Sequence, residues 1–335
     1  MDVPLWVWSA TIAGIVGLLL FDFFAHVRVP HDPSLKEAGV WSMIYIGLAC
    51  VFGIGVWLVW DHDHGMEYFA GFLTEKSLSV DNLFVFLIIM TSFRVPREYQ
   101  QKVLLIGIVI ALVLRGVFIA LGSAIIENFS WAFYVFGIFL VYTAWKLIGS
   151  DHDADEEYHE NAFIRIVRRL VPTTQEYVGD KMVVRIDGRA MITPMAIVML
   201  AIGSTDLLFA FDSIPAIFGL TQEPYFVFTA NAFALMGLRQ LYFLLGGLLE
   251  RLVYLSIGLA AILAFIGVKL VIHAMHQNEV PFINGGEHIT FIPEISTTLS
   301  LTVIVLTIAI TAWLSLLKTR SDERNGIAPS ANQVD

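Results

Sequence analysis

The chain is poor in cysteine and in charge. Cys50 is the single cysteine among 335 residues, which excludes a disulfide framework and a thiolate metal site within one chain. Charged residues make up 15% of the chain and hydrophobic residues 57%. A soluble domain has about 25% charged and about 45–50% apolar residues. Together with a mean hydropathy of +0.73, this composition indicates a polytopic membrane protein.

Several sequence signatures are also missing. The chain has no Walker A motif, so any transport would be driven by an ion gradient or the membrane potential. It has no HExxH pair or comparable catalytic set, and we expect no enzyme activity. The first apolar segment lacks a basic n-region and a small-residue cleavage site, so we predict a membrane span there and not a cleaved signal peptide.

Apolar segments of about 20 residues are typical of membrane-spanning helices. The sequence contains nine candidates: Leu5 to Ala25, Trp41 to Trp60, Tyr68 to Ser92, Val103 to Ile126, Trp131 to Gly149, Pro194 to Leu220, Phe226 to Leu248, Val253 to Ala274 and Leu299 to Leu317. The predicted fold class is therefore all-α, a polytopic membrane protein with about nine transmembrane helices.

Lys and Arg in the loops predict the orientation. All the basic loop residues follow the first, third, fifth, seventh and ninth segments. Because cytoplasmic loops carry an excess of Lys and Arg, we place the N-terminus outside the cell and the C-terminus in the cytoplasm. The net charge of −10 arises in the loops and favours no nucleic-acid partner.

Two similar polar runs interrupt the apolar segments. Residues 79–86, SVDNLFVF, align with residues 204–211, STDLLFAF, at five identical positions of eight. Extending this comparison pairs three charged residues in the same order: Asp81 with Asp206, Arg115 with Arg239, and Lys146 with Lys269. The match around Arg239 requires one inserted residue.

The spacing within the two copies agrees closely. Asp81 and Arg115 are 34 residues apart, and Asp206 and Arg239 are 33 apart. Each copy contains three spans, an odd number, so the second copy is predicted to be inverted in the membrane, as in many secondary transporters. The predicted organisation is two N-terminal helices (1–67), repeat one (68–149), a cytoplasmic loop (150–193), inverted repeat two (194–275), and an outer loop, last helix and tail (276–335).

The loops carry two further patterns. Stretches 61–67 and 151–160 are acidic and contain histidine; they either collect cations or are solvated, and we favour the second interpretation. Between the repeats, Phe163 to Val171 predicts a short basic amphipathic helix suited to an anionic leaflet. Asp187-Gly188 predicts the turn of a small hairpin.

Carboxylates inside the predicted spans are the strongest functional signal. An ionised side chain at the membrane midplane costs roughly 2.5–3.5 kcal/mol on insertion scales, so such groups must face inward, pair or line water. Pairing, for example of Asp81 with Arg115, is the structural alternative. A buried ion pair is weak evidence of stabilisation, so we favour a function. At 100° per residue, Glu75 and Asp81 lie on different helix faces, which predicts either two interfaces or local unwinding.

The donors in these runs are hard oxygen ligands. The candidate supporting groups around the carboxylates are Ser79, Asn82, Ser204, Arg115, Arg239, Lys146, Lys269 and Asp22. Oxygen-only sites suit Mg²⁺, Ca²⁺ or Mn²⁺ better than Zn²⁺ or Cu⁺. The basic residues are expected to hold or release carboxylates as the site empties. Asp22 either joins the site or pairs with a nearby base. Pro215 leaves the carbonyl of Phe211, beside Asp212, without its hydrogen bond within the helix. This carbonyl is either a further oxygen donor to an ion or part of a simple helix kink.

The runs EKSLSVDN (75–82), RRLVPTT (168–174) and DLLFAFDSIP (206–215) closely resemble the TerC family of bacterial integral membrane proteins, including its Alx-type members. This resemblance implies a LysE-like, nine-span transporter of the bacterial plasma membrane, associated with manganese export and, by name, with tellurite resistance. It also implies that the metal ligands are Glu75, Asp81, Asp206 and Asp212.

The expected function is export of a hard divalent cation, most plausibly Mn²⁺, with the lipid bilayer and the ion as the expected partners. No permanently bound cofactor is expected, because Mn²⁺ is the cargo. Two alternatives remain open. One is export of an amino acid or other small solute. The other is a membrane scaffold that serves a tellurite or metal stress response through the loop between the repeats.

Overall fold

The computed structural model describes residues 3–28, 31–129, 131–149, 162–174, 176–186, 189–245, 254–281, 283–289 and 291–324. Stretch 151–160 and the predicted turn at Asp187-Gly188 lie outside these residues. The helices are α1 (Leu5–Asp22), α2 (Leu35–Val59), α3 (His62–Ser92), α4 (Arg97–Asn128), α5 (Ala132–Gly149), α6 (Ala162–Leu170), α7 (Pro194–Phe218), α8 (Pro224–Met236), α9 (Leu238–Leu245), α10 (Leu255–His276) and α11 (Thr297–Arg324). A π-helical turn, Phe23–Val27, extends α1.

Six helices in the described part of the chain are long and apolar enough to cross a membrane: α1 with its π-helical turn, α2, α4, α7, α10 and α11. The other three predicted spans also correspond to helices, but each differs in kind. Helix α3 contains Glu75, Lys76 and Asp81, the apolar helix in α5 is short at 17 residues, Ala132–Ile148, and the seventh span is broken. The protein is therefore a mostly helical, polytopic membrane protein, and the count of nine spans stays a prediction.

The seventh span was predicted as one helix over Phe226 to Leu248, and that prediction is wrong. Helix α8 ends at Met236 and α9 begins at Leu238, so Gly237 separates them. The ammonium of Lys76 donates a hydrogen bond of 3.0 Å to the carbonyl of Ala234, where a cation is favourable at a helix C-terminus. A Cβ on Gly237 would lie 2.9 Å from the same Nζ. Gly237, the residue inserted relative to the first copy, thus leaves room for the side chain of Lys76.

Local sequence signals set the start of α3. Asp61 caps the helix, accepting a 2.8 Å hydrogen bond from the backbone N–H of His64, as expected for an aspartate at this position. This bond holds the pKa of the Asp61 carboxyl below its ordinary value. Because of the cap, the helix begins at His62, earlier than the apolar stretch from Tyr68. The first turns of α3 are therefore polar.

The loop between the two predicted repeats contains the expected elements. The basic amphipathic segment forms α6, and strands β1 (Val183–Ile186) and β2 (Arg189–Ile192) pair as an antiparallel hairpin. Lys102 ties this loop to α4 through a 2.6 Å hydrogen bond to Asp180. The same bond lowers the pKa of the Asp180 carboxyl.

The helices pack in pairs, and their buried apolar residues form three clusters. Helix α4 packs against α7, α3 against α8, and α5 against α10. Helix α7 buries most of its length, whereas α1, α2 and α11 expose many large apolar side chains. Exposed apolar residues on outer helices are what a surface in contact with lipid requires.

Two glycines set how closely α5 and α10 approach. A Cβ on Gly137 would lie 2.7 Å from the carbonyl oxygen of Gly267, and a Cβ on Gly267 would lie 2.8 Å from the carbonyl oxygen of Gly137. Small residues at a membrane helix interface allow such backbone contact. Gly14 in α1, by contrast, has no atom within 4 Å of the corresponding position.

We expect Gly137→Ala to lower the apparent unfolding temperature, since overpacking costs about 1–3 kcal/mol. Gly14→Ala is the matched control, and it should leave the temperature unchanged or raise it slightly because alanine favours the helix. Both are measured in detergent at one scan rate. Equal behaviour of the two variants would contradict the close α5–α10 packing.

Candidate ion-binding site

The centre of the protein is a buried arginine between two carboxylates. Arg115 of α4 is fully buried, as are Glu75 of α3 and Asp206 of α7. The guanidinium binds Asp206 through two hydrogen bonds, 2.7 Å from Nε to Oδ2 and 3.2 Å from Nη2 to Oδ1. Its Nη1 donates to Glu75 Oε1 and, over 3.1 Å, to Ser213 Oγ. Three helices therefore meet at one charged group.

The charges of this cluster do not balance. Two cations, the Arg115 guanidinium and the Lys76 ammonium, interact with three carboxylates, those of Glu75, Asp206 and Asp212. Glu75 Oε2 has no hydrogen-bond partner in the described structure, although it is buried. A buried polar atom without a partner is costly. The cluster is thus well suited to accept a further positive charge.

Helix α3 is continuous through the polar run, which excludes local unwinding, one of the two alternatives that the sequence left open. Glu75, Ser79 and Asn82 are all buried on one face. The hydroxyl of Ser79 lies 3.4 Å from Glu75 Oε1 and donates to it. The helix therefore presents this polar face to its neighbours as a rigid surface.

The remaining predicted ligands occupy different positions. Asp212 lies two turns beyond Asp206 on α7 and is partly exposed. Ser204 donates to the carbonyl of Ala201 on its own helix over 3.1 Å. Asp81 belongs to α3, but its side chain lies outside the described part of the structure. Among the described residues, no three His, Cys, Asp or Glu side chains converge closely enough to hold a metal ion.

A second buried cluster contains Asp22 and Arg239. Arg239 Nη2 donates to Asp22 Oδ1 over 2.6 Å, and its Nη1 donates to Gln101 Oε1. Gln101 in turn donates to the carbonyl of His31 over 2.9 Å. Asp22 thus pairs with a base, which is one of its two predicted roles. In the described part of the chain, Arg239 contacts none of the three partners of Arg115, although the two arginines align in sequence.

The predicted lysines lie apart from the arginine cluster. Lys146 is exposed on α5, and Lys269 of α10 lines a separate cavity near the start of α3. Neither is among the partners of Arg115. Two residues that sequence reasoning missed are Ser213 and Gln101. Ser213 adjoins Asp212 in the second polar run, and that position is a sequence signal for a role in the site. Gln101 lies in the polar beginning of α4, and no sequence pattern distinguishes it.

These features define an integral, multi-pass membrane protein with a buried, charged centre. Residues 60–323 match the model of the integral membrane protein TerC family, so the chain belongs to the TerC family, as its polar runs predicted. No solved structure matches the chain.

Bacterial relatives cover most of the chain. An uncharacterised membrane protein of Mycobacterium tuberculosis is 51% identical over 325 residues, covering 96% of this chain and 82% of the relative. One from Myxococcus xanthus is 42% identical over 79% of this chain and 83% of its own length. A protein of Photorhabdus laumondii with the provisional name membrane-bound redox modulator Alx is 37% identical over 79% and 85%, respectively.

Replacing Arg115 should destabilise the protein strongly. Removing one member of a buried ion pair costs about 3–5 kcal/mol, because the other charge remains buried and unpaired. We expect Arg115→Met to lower the apparent unfolding temperature, and Arg115→Met/Glu75→Gln/Asp206→Asn to restore part of the loss by removing the unpaired charges. A triple variant no more stable than the single variant would contradict this account.

Proposed function

We propose that the protein exports a hard divalent cation, most plausibly Mn²⁺, from the cytoplasm. The observation that carries this proposal is the meeting of Glu75 and Asp206 at one buried point. Both are oxygen ligands, and hard divalent cations prefer carboxylate oxygens. Asp81 and Asp212, from the same two polar runs, are the proposed further ligands. The role is transport and not catalysis.

Arg115 is proposed to stand in for the cargo when the site is empty. Its guanidinium neutralises part of the charge of Glu75 and Asp206 and keeps them dehydrated in one place. A divalent cation carries two positive charges and matches the two carboxylates more closely. Binding of the ion would therefore release Arg115, and departure of the ion would return it.

The helix pairing supports an inverted-repeat mechanism. In the proposed repeats, α3 corresponds to α7, and α4 corresponds to α8 with α9. Helix α4 packs on α7 and α3 packs on α8. In both contacts the first helix of one repeat lies against the second helix of the other repeat. The third helices, α5 and α10, pack on each other. A pseudo-twofold axis produces such exchange and permits alternating access.

The redox name carried by some relatives is compatible with metal transport. Cys50 is the single cysteine, so a dithiol exchange within one chain is not available. Manganese is redox-active, and control of its level is a route by which a membrane protein without paired thiols affects the redox state of a cell. For the present chain, this link between manganese transport and the redox state of the cell is part of the proposal.

Mn²⁺ flux in liposomes tests the proposal. We expect Mn²⁺ to enter liposomes that contain the wild-type protein, as followed with an enclosed fluorescent reporter. Asp206→Asn and Asp81→Asn should each reduce the rate at least about tenfold, because a lost charge-assisted ligand is worth more than about 1.4 kcal/mol. Asp63→Asn, which changes an exposed carboxylate before the apolar part of α3, is the matched control.

The outcomes separate the alternatives. Absence of Mn²⁺ flux with the wild-type protein, or equal flux with the two site variants, would refute manganese transport through these carboxylates. Transport of an amino acid instead of Mn²⁺ would favour the small-solute alternative. A scaffold would tolerate both substitutions in cells and would lose its effect when the loop between the repeats is deleted.

A further inference from the structure

A second polar cavity lies at one end of the helix bundle. It has a volume of about 320 Å³, and it is bounded by the start of α3, the turn between α7 and α8, the end of α10 and the segment before α11. Its charged and titratable lining residues are Glu67, Glu223, Glu294, His64, His273 and Lys269. We call it the Glu67 cavity. Glu294 and Gln222 are exposed at its edge, so water reaches it.

Fixed polar contacts organise the walls of the Glu67 cavity. Thr221 Oγ1 donates to Glu67 Oε2 over 2.7 Å, joining the α7–α8 turn to α3. His273 Nδ1 lies 3.1 Å from Glu294 Oε1, joining α10 to the segment before α11. The walls therefore come from four separated parts of the chain and are held together by hydrogen bonds.

The charge of this cavity favours cations. Three carboxylates face one lysine ammonium, and Lys269 interacts electrostatically with both Glu67 and Glu294. With neutral histidines the lining carries a net negative charge. A cleft lined by one sign of charge with apolar surroundings raises the local concentration of the opposite ion.

The size of the cavity and the spacing of its charged groups suit a hydrated ion. Among the described residues, no three carboxylate or imidazole groups lie close enough to ligate one metal directly. Six water molecules occupy about 180 Å³ of liquid volume, which is less than the 320 Å³ of the cavity. An ion that keeps its water shell contacts the walls through water-mediated hydrogen bonds, which need no tight ligand set.

The Glu67 cavity and the buried cluster around Arg115 are built on the same two helices, α3 and α7. Glu67 and Glu75 are both in α3, and a separation of eight residues places them on one stripe of the helix, about 12 Å apart along its axis. Asp206 is likewise on α7, whose last residue, Phe218, lines the cavity. One pair of helices therefore connects the cavity with the cluster.

We propose that the Glu67 cavity is a vestibule that holds a hydrated divalent cation outside the buried carboxylates. This inference rests on the proposed transport function, which it deepens by adding a second ion position where the water shell is retained. Lys269 limits the affinity of the vestibule, because its ammonium repels the ion and neutralises part of the carboxylate charge. Weak retention allows an ion to pass through the vestibule.

Hexaamminecobalt(III) tests the vestibule directly. This cation resembles a hydrated metal ion in size and does not exchange its ammine ligands, so it can occupy a hydrated site but not a dehydrated one. Binding to the full-length protein is measured by calorimetry in nanodiscs of neutral phosphatidylcholine. We expect Glu67→Gln/Glu294→Gln to weaken binding about tenfold and Lys269→Met to strengthen it several-fold, from the charges removed.

The controls are Glu279→Gln and Glu287→Gln, which change exposed carboxylates between α10 and α11 outside the cavity lining; both should bind like the wild-type protein. Absence of binding to the wild type, or equal binding by the double variant, would overturn the proposal. The opposite effect expected for Lys269→Met provides a test that misfolding cannot imitate. Retained cobalt binding without Mn²⁺ flux would refute the transport function while preserving the vestibule.

Discussion

The structure depends on one interaction, the binding of Arg115 to Glu75 and Asp206. A charged residue inside a membrane protein must face a partner, since exposure to lipid costs several kcal/mol. Here one guanidinium joins α3, α4 and α7 and leaves a carboxylate oxygen of Glu75 without a partner. The cluster holds the bundle together while remaining short of positive charge. The atoms that hold these helices together are therefore also those of the proposed cation site.

A single inserted residue makes the two copies of the sequence unequal. Arg115 and Arg239 occupy matching places in the alignment, yet Gly237 breaks the second helix before Arg239. Arg239 therefore binds Asp22 and Gln101, while Lys76 donates to the end of α8. Glycine at this position leaves room for the Lys76 ammonium, since a Cβ there would lie 2.9 Å from its Nζ. The proposed transport site is also asymmetric, because Glu75 and Asp212 align with Leu200 and Leu87 of the other copy.

Much of the fold could be predicted, because apolar runs and turn residues act locally. The runs predicted the positions of most helices, although α2, α3 and α4 each begin six residues before the predicted span and α11 ends seven residues after it. The pattern around Asp187-Gly188 predicted the hairpin of β1 and β2. The break at Gly237 was visible as an insertion in the alignment, although its consequence was not. Gln101 could not be assigned as a partner, because an isolated glutamine has no distinctive spacing. Ser213 stood out beside Asp212, but its position in sequence did not indicate that its partner is Arg115.

The sequence by itself determined that the chain is a multi-pass membrane protein of the TerC family and that carboxylates lie inside its helices. Composition and long motifs suffice for this, because each is a property of contiguous residues. Only the tertiary structure decided which charges meet. Glu75 and Asp206 are separated from Arg115 by 40 and 91 residues, and several acids and bases compete for each partner. Helix packing selects among these pairings, since it fixes which faces are in contact.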